Sequence, residues 1–201
     1  MIDLNSTSVR WTITLNRPDK ANAINMEMLI RLNEILDEAK QQLKLRSLII
    51  TGNGPVFSAG ADLNAVKLNN ELTTTIHWKT LSDKIAELPC LTIAALNGTL
   101  AGGAFGMALA CDIRLATTET NFFYPVLKNN LLPQPNDIER LVNLAGLSTA
   151  KLILLAGQKL SAKKALDRGL IDLICEQSEL ADNINNLSYI AENTDSISLL
   201  A

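Results

Sequence analysis

The stretch from residue 91 to residue 111 constrains the fold more than any other. Leu91-Thr92-Ile93-Ala94-Ala95-Leu96 is a short apolar run of strand length, and Asn97-Gly98 turns it. Beyond Gly102, positions 103–111 are apolar on every side. A helix of that kind has no polar face to show to water, so other elements have to enclose it.

The same rhythm of strand, turn and helix runs along the chain. Val9-Arg10-Trp11-Thr12-Ile13-Thr14-Leu15 alternates apolar and polar residues, the period of a half-buried strand, and Arg17-Pro18-Asp19-Lys20 breaks it. Met28, Leu29, Leu32, Ile35, Leu36, Ala39 and Leu43 recur at helical spacing, predicting an amphipathic helix over about 26–44. Leu48-Ile49-Ile50-Thr51 reads as a buried strand stopped by Gly52-Asn53-Gly54-Pro55. Residues 72–88 read as one helix, ended by Pro89. Residues 112–116 form a further strand. After Pro135 come helices near 137–145, 148–156 and 161–168, a strand at 170–175 and a helix near 178–192. Strands and helices that alternate with short links place the chain in the α/β class.

The 201 residues suit one domain, 1–201. A net charge of −3, with both signs interspersed, speaks against nucleic-acid binding. Cys90, Cys111 and Cys175 are widely spaced in apolar stretches and read as reduced, buried thiols; no CxxC pair suggests a metal. No signal-peptide pattern opens the sequence and no uncharged apolar run has the length of a membrane span. A cytoplasmic protein with no membrane association is expected.

Two small-residue turns are the candidate sites of chemistry. The first, Phe57-Ser58-Ala59-Gly60-Ala61-Asp62-Leu63, follows a buried strand and precedes a short helix. Asp62 is placed to cap that helix, leaving the Ala61 N–H exposed. The second, residues 97–106, joins a buried strand to the buried helix, whose N-terminus favours developing negative charge. Each turn has a plain structural reading: an ordinary N-cap in the first, close helix–sheet packing in the second. Taken together they offer two backbone N–H groups able to converge on one oxygen, which is how an oxyanion hole stabilises an enolate or tetrahedral intermediate.

Leu15-Asn16-Arg17-Pro18 with Asn22-Ala23-Ile24, then residues 48–52 and 57–63, then Pro89, Ile93-Ala94-Ala95, Asn97-Gly98, Gly102-Gly103 and Cys111-Asp112 follow one another as in the crotonase (enoyl-CoA hydratase/isomerase) family. Leu160-Ser161-Ala162, Ala165, Gly169-Leu170 and Asp172 extend the resemblance over almost the whole chain. It implies a superhelix of repeated ββα units with a shortened C-terminal helical region, and an oxyanion hole from the N–H groups of Ala61 and Gly103. It implies that Lys20, Ala21, Ala23, Ala59, Gly60, Ala61, Asp62 and Leu63 lie along coenzyme A. Coenzyme A is then the substrate's handle, with no separate cofactor and no metal. A homo-oligomer, a trimer in the family, is the implied assembly.

Two departures bear on the reaction. Where hydratases of the family carry their two glutamates, this sequence has Gly106 and Val126, and neither can move a proton. Other groups are therefore candidates. His77 shares a helical face with Leu81, Ile85 and Leu88 and should point inward, as a structural histidine or as a base of the kind found in relatives that dehalogenate aroyl-CoA thioesters. In those relatives the nucleophilic carboxylate corresponds to Gln134, with Asp137 one turn later. Tyr124 stands beside the lost glutamate position, as packing or as the tyrosine used by decarboxylating relatives. Asp137 and Glu139 open a helix, where capping is the default role of an acid; a displaced alignment in which Glu119 or Asp137 takes the role of the lost carboxylate is the alternative. The expected function is an enolate-type reaction on an acyl-CoA other than simple hydration: decarboxylation, isomerisation or hydrolysis. A non-catalytic acyl-CoA-binding or scaffold role is the alternative.

Overall fold

The computed structural model describes residues 1–68 and 71–194. In chain order, β1 (Ile2–Ser6) and β2 (Arg10–Leu15) form a hairpin, followed by α1 (Met26–Lys40). Next come β3 (Ser47–Gly52), β4 (Val56–Ser58), α2 (Leu63–Leu68), α3 (Glu71–Thr74) and α4 (His77–Ala86). Then follow β5 (Leu91–Leu96), β6 (Thr99–Ala101), α5 (Phe105–Ala110), β7 (Ile113–Thr117), β8 (Asn121–Phe123) and α6 (Pro135–Leu154). The last elements are β9 (Leu160–Ser161), α7 (Ala162–Asp167), β10 (Leu173–Cys175) and α8 (Leu180–Glu192).

Three successive windings repeat one plan: a strand for a first sheet, a short strand for a second, then helix. The first sheet has the order β1-β2-β3-β5-β7-β10, parallel throughout except for the β1–β2 hairpin. The second has the order β4-β6-β8-β9. The α/β class and the ββα repeat expected from the sequence are both present.

Burial explains the strand sequences. In β2, Trp11, Ile13 and Leu15 are buried and their neighbours are not, because one face meets the core. In β3 the faces divide: Leu48 and Ile50 enter the main core, whereas Ile49 joins Ile93, Leu115 and Leu180 under α8. A parallel strand covered on both sides needs an unbroken apolar run, which is what β3 carries. The C-terminal helix is also tied by charge. Arg10 reaches Glu192 at 2.6 Å, and Ser47 donates to the same carboxylate at 2.5 Å.

All of α5 is buried, packed against α4 and α6. The apolar stretch behaves as expected, but its first turn, residues 102–104, is a 3-10 helix. The helix expected over 72–88 is interrupted at Thr75 and Ile76, giving α3 and α4. The helices expected at 137–145 and 148–156 are two legs of α6, separated by Gly146 at φ 78° and ψ 160°. The strands β1, β4, β6, β8 and β9 escaped the sequence reading; those of two or three residues are too short to show a period. Among the described residues no helix is long and apolar enough to cross a membrane. Cys90, Cys111 and Cys175 are buried and unpaired.

Candidate active site

Asn22 holds the first turn in place. It is fully buried in a left-handed conformation, φ 51°, that asparagine tolerates better than most residues. Its Nδ2 donates to the carbonyls of Asn53 and Val56 at 2.9 and 2.7 Å, and its Oδ1 accepts from the Arg17 N–H at 2.8 Å. The N-terminal loop is thereby clamped to the β3–β4 turn. Backbone bonds extend the clamp: Ala59 N–H donates to Ala21, Ile24 N–H to Gly60 and Asp62 N–H to Ile24. Residues 59–62 are thus held by a neighbouring strand-like segment through the Ala59 and Asp62 amides and the Gly60 carbonyl. The Ala61 N–H, between them, donates to none of these loop partners.

Asp62 caps α2, accepting from the Asn64 and Ala65 amides at 3.0 and 3.3 Å. Its other oxygen meets Arg17 at 2.6 Å. The Arg17 hydrogen bond, with those amides, holds the carboxyl below its ordinary value despite desolvation.

The second turn approaches from β6. Gly60 at φ +86° and Gly102 at φ +55° occupy backbone conformations that favour glycine. A Cβ at Gly60 would come within 2.7 Å of the Ala101 carbonyl oxygen and 3.0 Å of the Gly103 nitrogen, so the two turns touch backbone to backbone. Gly103 lies in the first turn of the 3-10 helix, where an N–H has no intrahelical acceptor. Its backbone is not left-handed; a Cβ there would rest 3.5 Å from the Trp78 ring, in ordinary contact. The need for glycine geometry belongs to positions 60 and 102, and at 103 the requirement is open space.

Ala61 and Gly103 line one cavity of about 260 Å³, together with Ala59, Leu63, Trp78 and Tyr124. Among the described residues no Asp, Glu, Lys, Arg or His lines it. Of the other predicted positions, Gly60 is buried behind this wall. Ala21 and Ala23 are half-buried and Lys20 is exposed, on the loop that clamps the first turn. Asp62 spends its side chain on the cap and on Arg17.

His77 lies away from the cavity lining, half-buried at the N-terminus of α4 as the structural reading of it expects. The inward stripe of α4 is Trp78, Leu81, Ser82 and Ile85, one residue out of phase with the face drawn through His77. Trp78 was missed, although its i, i+3, i+7 relation to Leu81 and Ile85 is visible in the sequence. The Trp78 Nε1–H donates to the Leu72 carbonyl at 2.8 Å, bridging the break between α3 and α4.

Asp137 corrects the expectation of a capping acid. Gln134 is the N-cap of α6 and makes no side-chain cap bond. The Asp137 side chain turns inward instead, with the residue only 1% exposed. Its Oδ2 accepts the Tyr124 hydroxyl at 2.5 Å, and its Oδ1 is buried without a partner. Burial pushes this carboxyl up to about 7, although the Tyr124 bond and the Arg140 charge pull the other way. Burial and the neighbouring carboxylate hold the Tyr124 phenol well above its ordinary value. The Tyr124 ring stacks on Phe105 at 5.1 Å between centroids. Val126 is buried and lines the cavity as a plain apolar wall. Glu139 and Lys128 are exposed.

Known proteins agree with this architecture. The enoyl-CoA hydratase/isomerase family profile matches residues 6–198. The chain is 30% identical to the short-chain-enoyl-CoA hydratase of Clostridium acetobutylicum over 181 residues, covering 88% of this chain and 69% of that protein. It is 32% identical to the ethylmalonyl-CoA decarboxylase of Bos taurus over 171 residues, covering 83% of this chain and 56% of that protein. The crystal structure of an enoyl-CoA hydratase from Bacillus anthracis superposes with a TM-score of 0.91 at 26% identity, covering 99% of this chain and 79% of that one. The repeated ββα winding, the two touching turns and the family match over nearly the full length all agree: this chain belongs to the enoyl-CoA hydratase/isomerase (crotonase) family.

Proposed function

We propose that the protein binds an acyl-CoA thioester, with its carbonyl oxygen between the N–H groups of Ala61 and Gly103, and catalyses an enolate-type reaction other than simple hydration. Decarboxylation of a 2-carboxyacyl-CoA suits this cavity best. One observation carries the reading: Ala61 and Gly103 line one cavity whose described lining residues include no Asp, Glu, Lys, Arg or His to serve as the base that activates water in hydration. Hydration requires a base to activate water and an acid for the α-carbon. Loss of carbon dioxide requires neither at the bond-breaking step. The bond between the α-carbon and the carboxylate breaks, its electrons pass into the enolate, and the hole stabilises the oxygen where charge gathers. The 2-carboxyacyl substrate class also fits the similarity to a decarboxylase of ethylmalonyl-CoA. Lys20, Ala21, Ala23 and residues 59–63 are proposed to follow the coenzyme A chain out of the cavity.

The test compares two substrates. With ethylmalonyl-CoA, carbon dioxide release is expected. With crotonyl-CoA, the enone absorbance should persist, because each general acid or base contributes about 10²–10⁴-fold. Ordinary hydratase turnover with no decarboxylation would overturn the reading. Binding seen by calorimetry with no turnover on either substrate would leave the non-catalytic alternative.

A further inference from the structure

The carboxylate absent from position 106 has a counterpart on another helix. A Cβ built at Gly106 would sit 2.7 Å from Asp137 Oδ1, so the carboxyl of α6 fills the space a side chain on α5 would enter. The same carboxyl holds the hydroxyl of Tyr124, a cavity-wall residue. Its second oxygen is buried with no partner. Burying an unsatisfied carboxyl oxygen is costly, and an apolar residue of similar volume would avoid that cost. Packing alone therefore gives no reason for an acid here.

We propose that Tyr124 and Asp137 form a proton-delivery pair that takes over the acid lost at position 106. Tyr124 is the catalytic residue and Asp137 its positioning and reloading partner; the proposal rests on the acyl-CoA reading above. The enolate left by loss of carbon dioxide takes the phenolic proton: the Tyr124 O–H bond breaks and a bond from the α-carbon to hydrogen forms. The protonated Asp137 then gives its proton to the Tyr124 oxygen and becomes a carboxylate, which water reprotonates before the next turnover. Each cycle replaces one carbon dioxide by one proton from solvent.

The groups around the pair are few. Arg140, three residues along α6, donates to Ser82 at 2.6 Å and pairs with Asp83 of α4 at 3.2 Å. Asp83 also holds Lys79 at 2.5 Å and accepts from Asn136. The α5 helix contributes no titratable side chain. The Gln134 N–H reaches the Tyr124 oxygen at 3.4 Å. Arg140 is thus the cation of the neighbourhood, already engaged by α4, which leaves burial to dominate at Asp137 and keeps the acid form populated near neutrality.

The experiment measures ethylmalonyl-CoA decarboxylation from pH 5 to 9 in water and in deuterium oxide, for the parent, Asp137→Asn, Asp137→Glu and Tyr124→Phe. The parent kcat should fall as pH rises through about 7, because the protonated acid is the loaded form. Asp137→Asn should lower kcat about 10²-fold below that pH with KM changed only a few-fold, and should remove the step from the profile. Asp137→Glu should restore part of both. In deuterium oxide the parent should deliver deuterium to one face of the α-carbon, and Asp137→Asn should give both configurations. Parental kcat and profile in Asp137→Asn would overturn the pair. So would a pH-independent loss with raised KM that Asp137→Glu does not restore, since that marks a packing role. Should Asp137→Asn fail to fold, Tyr124→Phe keeps the stacking ring and supplies the same readouts. A parent inactive on 2-carboxyacyl-CoA thioesters overturns the proposed function and the pair with it; an active parent with indifferent variants overturns the pair alone.

Discussion

The floor and the back wall of the cavity are built on opposite principles. The floor, Ala59 to Ala61 against Ala101 to Gly103, uses main-chain atoms: the Ala59 N–H donates to Ala21, the Gly60 carbonyl accepts from Ile24, and Asn22 clamps the adjoining β3–β4 turn. The wall, Tyr124 with Asp137 behind it, uses two side chains from separate segments, and Gly106 on α5 leaves the space that the Asp137 carboxyl fills. A backbone N–H cannot be moved to another element, so the floor demands particular small residues in particular turns. A carboxyl group can be supplied from any element whose side chain reaches the spot. A backbone floor of this kind is fixed to its turns, whereas a carboxyl can be placed at the same wall from a different helix, as Asp137 of α6 is against Gly106 of α5.

The severest way to break the floor is Gly60→Ala. The added Cβ would stand 2.7 Å from a backbone oxygen and 3.0 Å from the Gly103 nitrogen, at a φ of +86° that alanine avoids. Neither neighbour is a flexible chain end, so the two turns must part. We expect acyl-CoA affinity to fall below detection by calorimetry, with stability reduced by about 1–3 kcal/mol in urea melts. Parental affinity would show that contact between the turns is not needed for binding.

Gly103→Val separates space from backbone strain. The nearest atoms to the added Cβ belong to the Trp78 ring, in ordinary contact at 3.5 Å, and the backbone is not left-handed, so the fold should survive with its melting temperature within a few degrees. The branched methyls enter the cavity where the thioester is proposed to lie. A fall in affinity for a short acyl-CoA of about 10²-fold, some 2.7 kcal/mol, is expected by titration calorimetry. Unchanged affinity would put the ligand elsewhere.

The same contrast explains what the sequence revealed. Gly60, Gly102 and Gly103 sit in short, glycine-marked turns next to buried strands, and their local pattern carries the backbone geometry directly. Asp62 as a cap was legible for the same reason: the cap and its amides are neighbours in the chain. Asp137 was legible as a residue and illegible as a partner. It lies 31 positions from Gly106, and first-turn acids usually serve the helix dipole. Only the winding of the chain places its oxygen against α5. His77 and Trp78 show the limit of phase: a one-residue shift of the apolar stripe exchanged the buried residue for its half-buried neighbour. Short strands such as β4, β6 and β8 carry no period, so the second sheet came from family resemblance alone.

The wall can be tested for substitution between elements with a double-mutant cycle. Gly106→Ala alone places a methyl 2.7 Å from Asp137 Oδ1, which must shift and strain its bond to Tyr124. A cost of about 1–3 kcal/mol is expected. In an Asp137→Ala background the obstructing oxygen is gone and the same alanine should cost close to nothing. Chemical denaturation of the four proteins should therefore give a coupling of about 1 kcal/mol or more. Additive effects would mean that the carboxyl does not occupy the space of a side chain at 106.

The gentlest test returns to the floor and uses Arg17→Gln. Arg17 holds the Ala23 carbonyl at 3.0 Å and Asp62 at 2.6 Å, but the α2 cap and the Asn22 clamp do not depend on it. Affinity for acyl-CoA should change less than about threefold, equivalent to less than about 0.7 kcal/mol. Stability at pH 7 should fall by about 0.5–1 kcal/mol, the scale of a solvent-screened ion pair. The pH dependence identifies the cause. Because the Arg17 hydrogen bond lowers the Asp62 carboxyl, its stabilisation is present above the unfolded value near 3.8 and is lost as pH falls through the lower folded value. The gap between parent and variant in urea melts should therefore close as pH falls below 3.8. A gap that persists there would assign the contribution to the arginine stem and its bond to Ala23. In either case the floor should show no transition near pH 7, where the burial of Asp137 places one in the wall. Two parts of one cavity, built from amides and from a buried acid, thus answer to different ranges of pH.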